Sequence, residues 1–505
     1  MIRTATHRFR PAVLACLAAG TATGLVAVPE TRGAAAAEGD QPRNIIVFIA
    51  DGCGESTHRA YECWRGEPMV YQGPEWSRYD ATTYALRPGS RPSRGVEPLE
   101  QDPRYVYDFD LASDTTPDEG SSGGYPFHVR GYRWLRATAP DSANTATSIF
   151  AGVSTYTGAI NVDGAGTPVP SVSRAAADAG KAVGIVSTVP YSHATPACAA
   201  GTSVVQREMY HEITHQMLTS DICTVIAGAG HPEFDDSAQR RESPKYKFIS
   251  EEDWTALRSG TLATSTPVAG ATAGVHDTPA AWTLVDDVDT IRSLATGDTP
   301  ERLFIVGRAA QTLQQIRAPH QNGDSTPPGG HPRNTGVPTL SELTLAAINA
   351  VDDDPDGFFL MVEGGAVDWA MHDNQIGRMI EEMDDYHSTL ETVCAMLDSG
   401  DRGFDWSDTL VVVTADHDHL LLGPDSDTVP FQPLEDRGEG NLPGFRWHSN
   451  SHSNIPVPLF ARGKGADRFE SIPTTAAGPK RVFHQTAIGR LLLDLIDEPT
   501  AAASD

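Results

Sequence analysis

The order of apolar and polar residues along the chain predicts short strands that alternate with helices. Several apolar runs are continuous, which is typical of strands covered by helices on both faces. The predicted strands are Asn44–Ala50, Lys181–Thr188, Cys223–Ala227, Leu303–Val306, Phe358–Val362, Leu410–Thr414 and Val457–Phe460. Helical patterns cover Ser142–Gly152, Ser171–Ala179, Val204–Thr219, Leu340–Val351, Asp373–Leu397 and Arg481–Ile496. This alternation predicts an α/β fold with a mostly parallel central sheet and helices on both faces.

Two stretches interrupt the alternation. Residues 67–130 are polar and contain many Pro, Gly and Asp residues, which indicates an irregular crown or insertion. Residues 231–336 form a long irregular region with one strand–helix unit inside it. The sequence contains neither an internal repeat nor a convincing linker. We therefore predict a single domain over residues 38–505 that carries these two stretches as decorations.

The first 37 residues have the pattern of a secretory signal peptide. Arg3, Arg8 and Arg10 give a basic start, an apolar stretch covers Ala12–Val28, and small residues follow at Ala34–Ala37. An uncleaved membrane anchor is the alternative interpretation. No later run is apolar enough to span a bilayer. We expect a secreted protein, either extracellular or periplasmic.

Charge and cysteine content narrow the possible functions. The 505 residues include 38 Lys and Arg against 67 Asp and Glu, a net charge of −29. Such a chain is a poor match for a nucleic-acid or anionic-membrane binder. Five cysteines follow the signal segment, and the local pairs Cys53–Cys63 and Cys198–Cys223 are both open as disulfides. The absence of a CxxC motif disfavours a cysteine zinc site.

Acidic residues follow three of the predicted strands. Asp51 comes directly after the first strand, Glu363 directly after Phe358–Val362, and Asp416-His417 shortly after Leu410–Thr414. Each acid alone could be a helix cap or a turn former. In an open parallel sheet, however, ligands bind beyond the carboxyl ends of the strands. The three ends together therefore indicate a functional site.

The sequence contains further candidate metal ligands and a candidate nucleophile. Asp368 and His372 are four residues apart, so on a helix they share one face. His452, or alternatively His448, offers another imidazole. Carboxylate and imidazole ligands suit zinc and similar divalent ions. Ser142 opens a predicted helix, where backbone N–H groups and the helix dipole attract a phosphate.

In this arrangement the chain resembles the alkaline phosphatase family. The resemblance lies in six separated motifs that occur in the family's order over most of residues 44–494. They are Asp51-Gly52, Asp141-Ser142-Ala143 with Thr145-Ala146-Thr147, Ala194-Thr195-Pro196, Glu363…Asp368…His372, Thr414-Ala415-Asp416-His417 and His452-Ser453-Asn454. The resemblance implies hydrolysis of phosphate monoesters through a phosphoserine intermediate. It also implies a homodimer with two zinc ions and one magnesium ion per chain.

The same resemblance implies a role for each matching residue. Asp368, His372 and His452 would bind the first zinc, and Asp51, Asp416 and His417 the second. Asp51, Thr195 and Glu363 would bind magnesium. Ser142 would be the nucleophile, and Arg207 matches the family's phosphate-binding arginine.

Two positions differ from parts of the family. His193 replaces an Asp found in some members, and Trp369 replaces a Lys or His. The first difference leaves the identity of the metal at the magnesium site open.

Alternative functions come from other motifs. His211-Glu212-Ile-Thr-His215 matches HExxH, and with Glu233 as third ligand it would indicate a zinc metallopeptidase. Gly120–Gly124 matches the esterase pattern GxSxG, but no strand is predicted before it. A phosphodiesterase of the same superfamily is the nearer alternative. A sulfatase is disfavoured because the residues after Ser142 lack that family's motif.

Overall fold

The main sheet of the molecule is large and mostly parallel. The computed structural model describes residues 41–87, 100–262 and 280–497, so the predicted signal segment lies outside the described residues. The strands are β1 (Asn44–Ala50), β2 (Ser77–Thr82), β3 (Pro117–Ser122), β4 (Tyr125–Val129), β5 (Ala182–Pro190), β6 (Val225–Ala229), β7 (Thr283–Val285), β8 (Leu303–Val306), β9 (Phe358–Gly364), β10 (Thr409–Thr414), β11 (Asp418–Leu422), β12 (Arg446–Ser453), β13 (Val457–Gly463), β14 (Thr475–Ala477) and β15 (Lys480–His484).

Within the described ranges, eleven of these strands form one sheet in the order β14-β15-β2-β13-β10-β1-β9-β5-β6-β8-β7. The strands from β10 to β7 pair in parallel, whereas β13 is antiparallel to both β10 and β2. Every residue of β1, β5 and β9 is buried, which requires cover on both faces of the sheet. The predicted α/β class with a mostly parallel sheet is confirmed.

Helices connect and cover the strands. They are α1 (Glu55–Arg65), α2 (Phe109–Ala112), α3 (Arg130–Ala137), α4 (Ser142–Ala151), α5 (Val172–Asp178), α6 (Ala194–Ala199), α7 (Tyr210–Thr219), α8 (Glu251–Ser259), α9 (Val288–Ser293), α10 (Leu340–Asn349), α11 (Ala366–His372), α12 (Ile376–Ser399) and α13 (Thr486–Asp497). Short 3-10 turns cover Val70–Gln72 and Ala466–Ser471. None of the described helices combines the length and apolar character that a membrane crossing requires.

Three of the predicted helices have different bounds in the structure. The helix predicted over Val204–Thr219 begins only at Tyr210, because Val204 forms an isolated bridge with Ile160. The first residues of Arg481–Ile496 belong to β15, which pairs with both β14 and β2. The helix predicted over Asp373–Leu397 begins only at Ile376, after α11 has ended at His372.

The two irregular stretches contribute to the main sheet as well as to its surroundings. From the first stretch, β2 lies between β13 and β15, while β3 and β4 form a separate hairpin. From the second, β7 and β8 form one edge of the sheet. Their role as decorations is therefore only partial, since long-range strand pairing is invisible to local patterns. The described residues all belong to one compact unit.

Candidate active site

Three acidic side chains meet at one edge of the sheet. In the strand register, Ile49 of β1 pairs with Glu363 of β9 on one side and with Thr414 of β10 on the other. Asp51, Glu363 and Asp416 therefore lie at the same carboxyl edge, and all three are fully buried. The structure thus brings the three acidic strand ends together.

Asp51, Asp416 and His417 form one group of potential metal ligands, whose ligand atoms all lie within 4.8 Å of one another. His417 Nε2 is 3.2 Å from Asp416 Oδ2 and 3.5 Å from Asp51 Oδ1. The Gly52 N–H donates to Asp416 Oδ1 at 2.9 Å. Gly52 has a φ of +73°, and a Cβ there would lie 2.7 Å from the Met371 side chain, so this turn requires glycine.

Ser142 lies directly beside this group. Its Oγ is 3.2 Å from His417 Nε2, the same atom that faces both carboxylates. Ser142 is the first residue of α4, and Asp141 caps the helix by accepting from the Asn144 N–H at 3.0 Å. The cap places Ser142 at the positive end of the helix dipole. The hydroxyl, the ligand group and the helix N-terminus therefore converge.

Asp368, His372 and His452 lie together beside this group. His372 Nε2 lies 3.3 Å from Asp368 Oδ2, and His452 Nε2 lies 3.3 Å from Asp368 Oδ1. The two Nε2 atoms are 3.0 Å apart. Each ring has its Nδ1 against a backbone carbonyl, Asn450 O for His372 and Pro140 O for His452. Because an Nδ1–H can donate there, Nε2 stays available for a metal.

His419 is a residue of this neighbourhood that the sequence analysis missed. Its Nε2 is 2.7 Å from Asp368 Oδ1, and it belongs to a second potential ligand group with Asp368, His417 and His452. The signal for it was present, because residues two apart on an extended chain share one side. His417 and His419 have that spacing, and β11 begins between them.

Asp51, Thr195 and Glu363 contribute buried side-chain oxygens that lack hydrogen-bond partners. Both carboxylate oxygens of Asp51, Thr195 Oγ1 and Glu363 Oε1 have no hydrogen-bond partner in the described part of the chain. The other Glu363 oxygen accepts from the Ser187 hydroxyl. Leaving one such group unpaired costs about 1–3 kcal/mol. A set of metal ligands made only of oxygen atoms suits a hard divalent cation such as magnesium.

Burial and mutual repulsion shift the pKa values of the titratable groups at this edge. Burial raises the pKa of Asp51 well above its usual value, and the carboxylates of Asp416, Asp368 and Glu363 raise it further. Burial also raises the pKa of Glu363 to about 8 and that of Asp416 above its ordinary value. Burial likewise lowers the pKa of His417 well below its usual value, which keeps the ring neutral. Bound divalent cations would relieve the repulsion among these carboxylates and find a neutral imidazole ligand.

Arg207 faces the same region from outside α7. It lies in the irregular stretch before that helix, so its predicted helical position is wrong. Its Nη1 donates to Asp141 Oδ2 at 3.0 Å, and its Nη2 is 3.2 Å from His193 Nε2. The ring of His193 packs edge-on against Trp369 at 5.4 Å between centroids. Asp141 therefore links the guanidinium to the first turn of α4, where Ser142 lies.

Comparison with known proteins assigns the arrangement to a family. The sequence model described as "Alkaline phosphatase" matches residues 112–242 and 305–431, which together are slightly more than half of the chain. The chain belongs to the alkaline phosphatase family. It is therefore a member of a hydrolase superfamily. The family implies metal ions, and the His and Asp clusters of this chain could bind them.

The relatives are distant but cover most of the chain. Alkaline phosphatase 3 of Bacillus subtilis (strain 168) is 27% identical over 398 residues, which are 77% of this chain and 64% of that protein. The human tissue-nonspecific isozyme of alkaline phosphatase is 27% identical over 452 residues, or 83% of this chain and 74% of that protein.

Solved structures of alkaline phosphatases have the same fold. The enzyme from the Antarctic bacterium TAB5 superposes with a TM-score of 0.57 at 20% identity and covers 91% of this chain and 99% of its own. The enzyme from Thermus thermophilus gives 0.56 at 20% identity and covers 93% and 95% of the two chains. At this identity the likeness concerns the fold alone.

The HExxH residues of this alkaline phosphatase family member are occupied in other contacts. His211 Nε2 lies 2.7 Å from the Tyr246 carbonyl, and His215 Nδ1 lies 3.0 Å from Asp253 Oδ1. Glu233 pairs with two arginines and accepts from the Trp254 ring N–H. None of the potential ligand groups found among the described residues includes these three side chains. The geometry gives the metallopeptidase alternative no support.

The structure also shows where His448, the GxSxG residues and the cysteines lie. His448 Nε2 lies 2.7 Å from Ser426 Oγ, and the ring packs against Tyr132, so His452 and not His448 is the imidazole at Asp368. Residues 120–124 are the end of β3 and the turn to β4, which is a hairpin rather than an esterase elbow. The five cysteines of the described residues are all free in the structure, so neither open disulfide is formed.

Proposed function

We propose that the protein hydrolyses phosphate monoesters through a phosphoserine intermediate on Ser142. The observation that carries the proposal is the 3.2 Å distance from Ser142 Oγ to His417 Nε2, at a group that also contains Asp51 and Asp416. Membership of the family supports the same reaction class. Phosphate monoesters hydrolyse extremely slowly in water, so positioning and charge stabilisation must supply most of the catalysis.

Three sets of residues would hold the metal ions. Zinc would bind to Asp368, His372 and His452 at one site and to Asp51, Asp416 and His417 at the other. Magnesium would bind to Asp51, Thr195 and Glu363, and the unpaired oxygens of these three residues support that assignment. When bound, the ions supply Lewis-acid stabilisation of negative charge on the attacking and leaving oxygens.

Ser142 is the group that reacts. Its oxygen forms a bond to phosphorus and gives up its proton to water while the ester P–O bond breaks. The leaving oxygen departs with the bonding pair and takes up a proton from water. Water then attacks the phosphoserine, releases inorganic phosphate and returns the proton to Ser142. The N-terminus of α4, capped by Asp141, favours the negative charge that accumulates around the phosphoryl group.

Arg207 would orient the phosphoryl group. Its guanidinium is fixed by Asp141 on one nitrogen and faces His193 with the other. An arginine held in this way can donate two parallel hydrogen bonds to phosphate oxygens. Trp369 limits the movement of His193 through its edge-on contact, so it acts on the guanidinium indirectly. The proposal includes secretion through residues 1–37 and a homodimer, both of which rest on the sequence pattern and the family resemblance.

The direct test is hydrolysis of p-nitrophenyl phosphate at alkaline pH by the wild type and by Ser142→Ala, matched for bound zinc. Ser148→Ala is the control, since Ser148 lies in the same helix and its hydroxyl only donates to the Asn144 carbonyl and faces that of Val153. We expect activity to collapse in Ser142→Ala and to persist in Ser148→Ala. Equal activity in all three proteins would remove Ser142 as nucleophile. Faster turnover of bis-p-nitrophenyl phosphate than of the monoester would instead favour a phosphodiesterase.

A further inference from the structure

The β3–β4 hairpin of the 67–130 insertion reaches the segments that carry His372 and His452. A Cβ on Gly123, at the hairpin turn, would lie 3.6 Å from Asn450 Oδ1. Arg136 of α3 also holds the hairpin, since its guanidinium donates to the Ser122 and Tyr125 carbonyls and covers the Phe127 ring at 4.9 Å. The hairpin is thus a supported element beside the first ligand group.

Asn374 connects this hairpin to the ligand segments. It follows His372 by two residues, is buried, and has a φ of +55°, which is uncommon for a residue other than glycine. The orientation of its amide that satisfies all neighbours gives three hydrogen bonds. Nδ2 donates to the Met371 carbonyl at 2.8 Å and to the Ser449 carbonyl at 3.0 Å, while Oδ1 accepts from the Tyr125 hydroxyl at 2.5 Å.

These bonds bring the end of α11 and the middle of β12 together at two neighbouring points. One is the Asn374–Ser449 bond, and the other is the 2.8 Å contact between His372 Nδ1 and Asn450 O. His452 lies on the same strand, two residues beyond Asn450. The distance between His372 Nε2 and His452 Nε2 therefore depends on how α11 sits against β12. Metal ligands tolerate small errors only, because zinc–nitrogen distances are narrowly defined.

We propose that Asn374 is a positioning residue that fixes α11 against β12 at the first ligand group, and that Tyr125 of the insertion holds its amide in place. This assigns a role to the hairpin, which the main sheet does not need. The inference rests on the proposed function only in that the first ligand group binds zinc. Partners of metal ligands commonly change metal affinity by about 10–100-fold when they are removed.

The test measures zinc binding rather than turnover. Zinc affinity and bound zinc per chain are determined by chelator competition for the wild type, Asn374→Gly and Tyr125→Phe. Glycine tolerates the left-handed backbone, so Asn374→Gly removes the amide without adding strain. Tyr125→Phe keeps the ring and removes only the hydroxyl. Tyr107→Phe is the control, because it removes a phenol hydroxyl from the same insertion at a ring that packs against Trp134.

We expect the zinc at the first ligand group to lose about tenfold in affinity in Asn374→Gly and several-fold in Tyr125→Phe, with Tyr107→Phe unchanged. Thermal unfolding of the metal-free proteins should give similar midpoints, which separates positioning from a general loss of stability. Wild-type zinc affinity in Asn374→Gly would overturn the inference and reduce Asn374 to a turn residue. A wild type that binds no zinc would contradict the proposed function as well.

Discussion

Glu363 gives a quantitative test of the charge at the sheet edge. Its carboxyl is completely buried, and burial raises its pKa from 4.5 to about 8 in the metal-free protein. The folded state therefore binds more protons than the unfolded state between these two pH values. The stabilising contribution of the protonated group is present below pH 4.5 and is lost as the pH rises through about 8.

The size of the effect follows from the pKa shift. Each pH unit inside the window changes the free energy of unfolding by about 1.4 kcal/mol, so two units from pH 5.5 to 7.5 change it by roughly 3 kcal/mol. Glu363→Gln keeps the shape and removes the titration. The wild type should lose about this much stability relative to Glu363→Gln over that range when both are metal-free.

The assay is urea unfolding in excess chelator at several pH values, repeated with zinc and magnesium present. Histidines titrate in both proteins, so their contribution cancels in the difference between the two free energies of unfolding. Glu252→Gln is the control, since Glu252 is exposed in the first turn of α8. With metal added, the wild type should become the more stable of the two proteins, because an ionised Glu363 can then act as a ligand. A metal-free wild type whose stability relative to Glu363→Gln stays constant or rises with pH would refute the reasoning.

Other predictions concern the phosphate contact, acid stability, metal removal and the HExxH helix. Arg207→Ala should lower kcat/KM for p-nitrophenyl phosphate by roughly 100-fold, with partial recovery in Arg207→Lys, because only arginine can donate two parallel bonds. Burial lowers the pKa of His387 to about 3, so below pH 6.5 the unfolded state binds more protons than the folded state. The wild type should therefore lose about 2 kcal/mol of unfolding free energy between neutral pH and pH 5 that His387→Gln does not lose, as measured by urea unfolding. Dialysis against a chelator should abolish turnover, and zinc with magnesium should restore it, whereas failure to restore it would argue against metal dependence. His211→Ala should leave phosphatase turnover unchanged, because His211 is exposed and contacts the Tyr246 carbonyl; a large loss would reopen the peptidase motif.

The sequence predicts the acidic strand ends well because the signal is local. Asp51, Glu363 and Asp416 each follow an apolar run directly, and parallel strands bring their carboxyl ends to one edge. His452 is less certain from sequence, since two imidazoles of the same segment compete. The choice depends on strand register, and His452 pairs with His419 across β11 and β12.

Other features depend on contacts that no local pattern contains. The apolar periodicity continues from Asp373 into α12, yet the left-handed backbone of Asn374 separates the two helices. The side chain of Asn374 contacts the Tyr125 hydroxyl, which comes from a segment about 250 residues earlier. In the same way, β2 joins the main sheet through pairing with β13 and β15 near the end of the chain. These interactions become visible only after the chain has folded.

The central claim is covalent catalysis by Ser142, and trapping the intermediate tests it most directly. The zinc- and magnesium-loaded protein would be incubated with inorganic phosphate, quenched in acid and digested, and its peptides analysed by mass spectrometry, with Ser142→Ala treated in parallel. We predict a single phosphorylated site at Ser142 that is absent from the variant. Phosphate on another residue, or full turnover of p-nitrophenyl phosphate with no phosphopeptide and an active Ser142→Ala variant, would contradict the account.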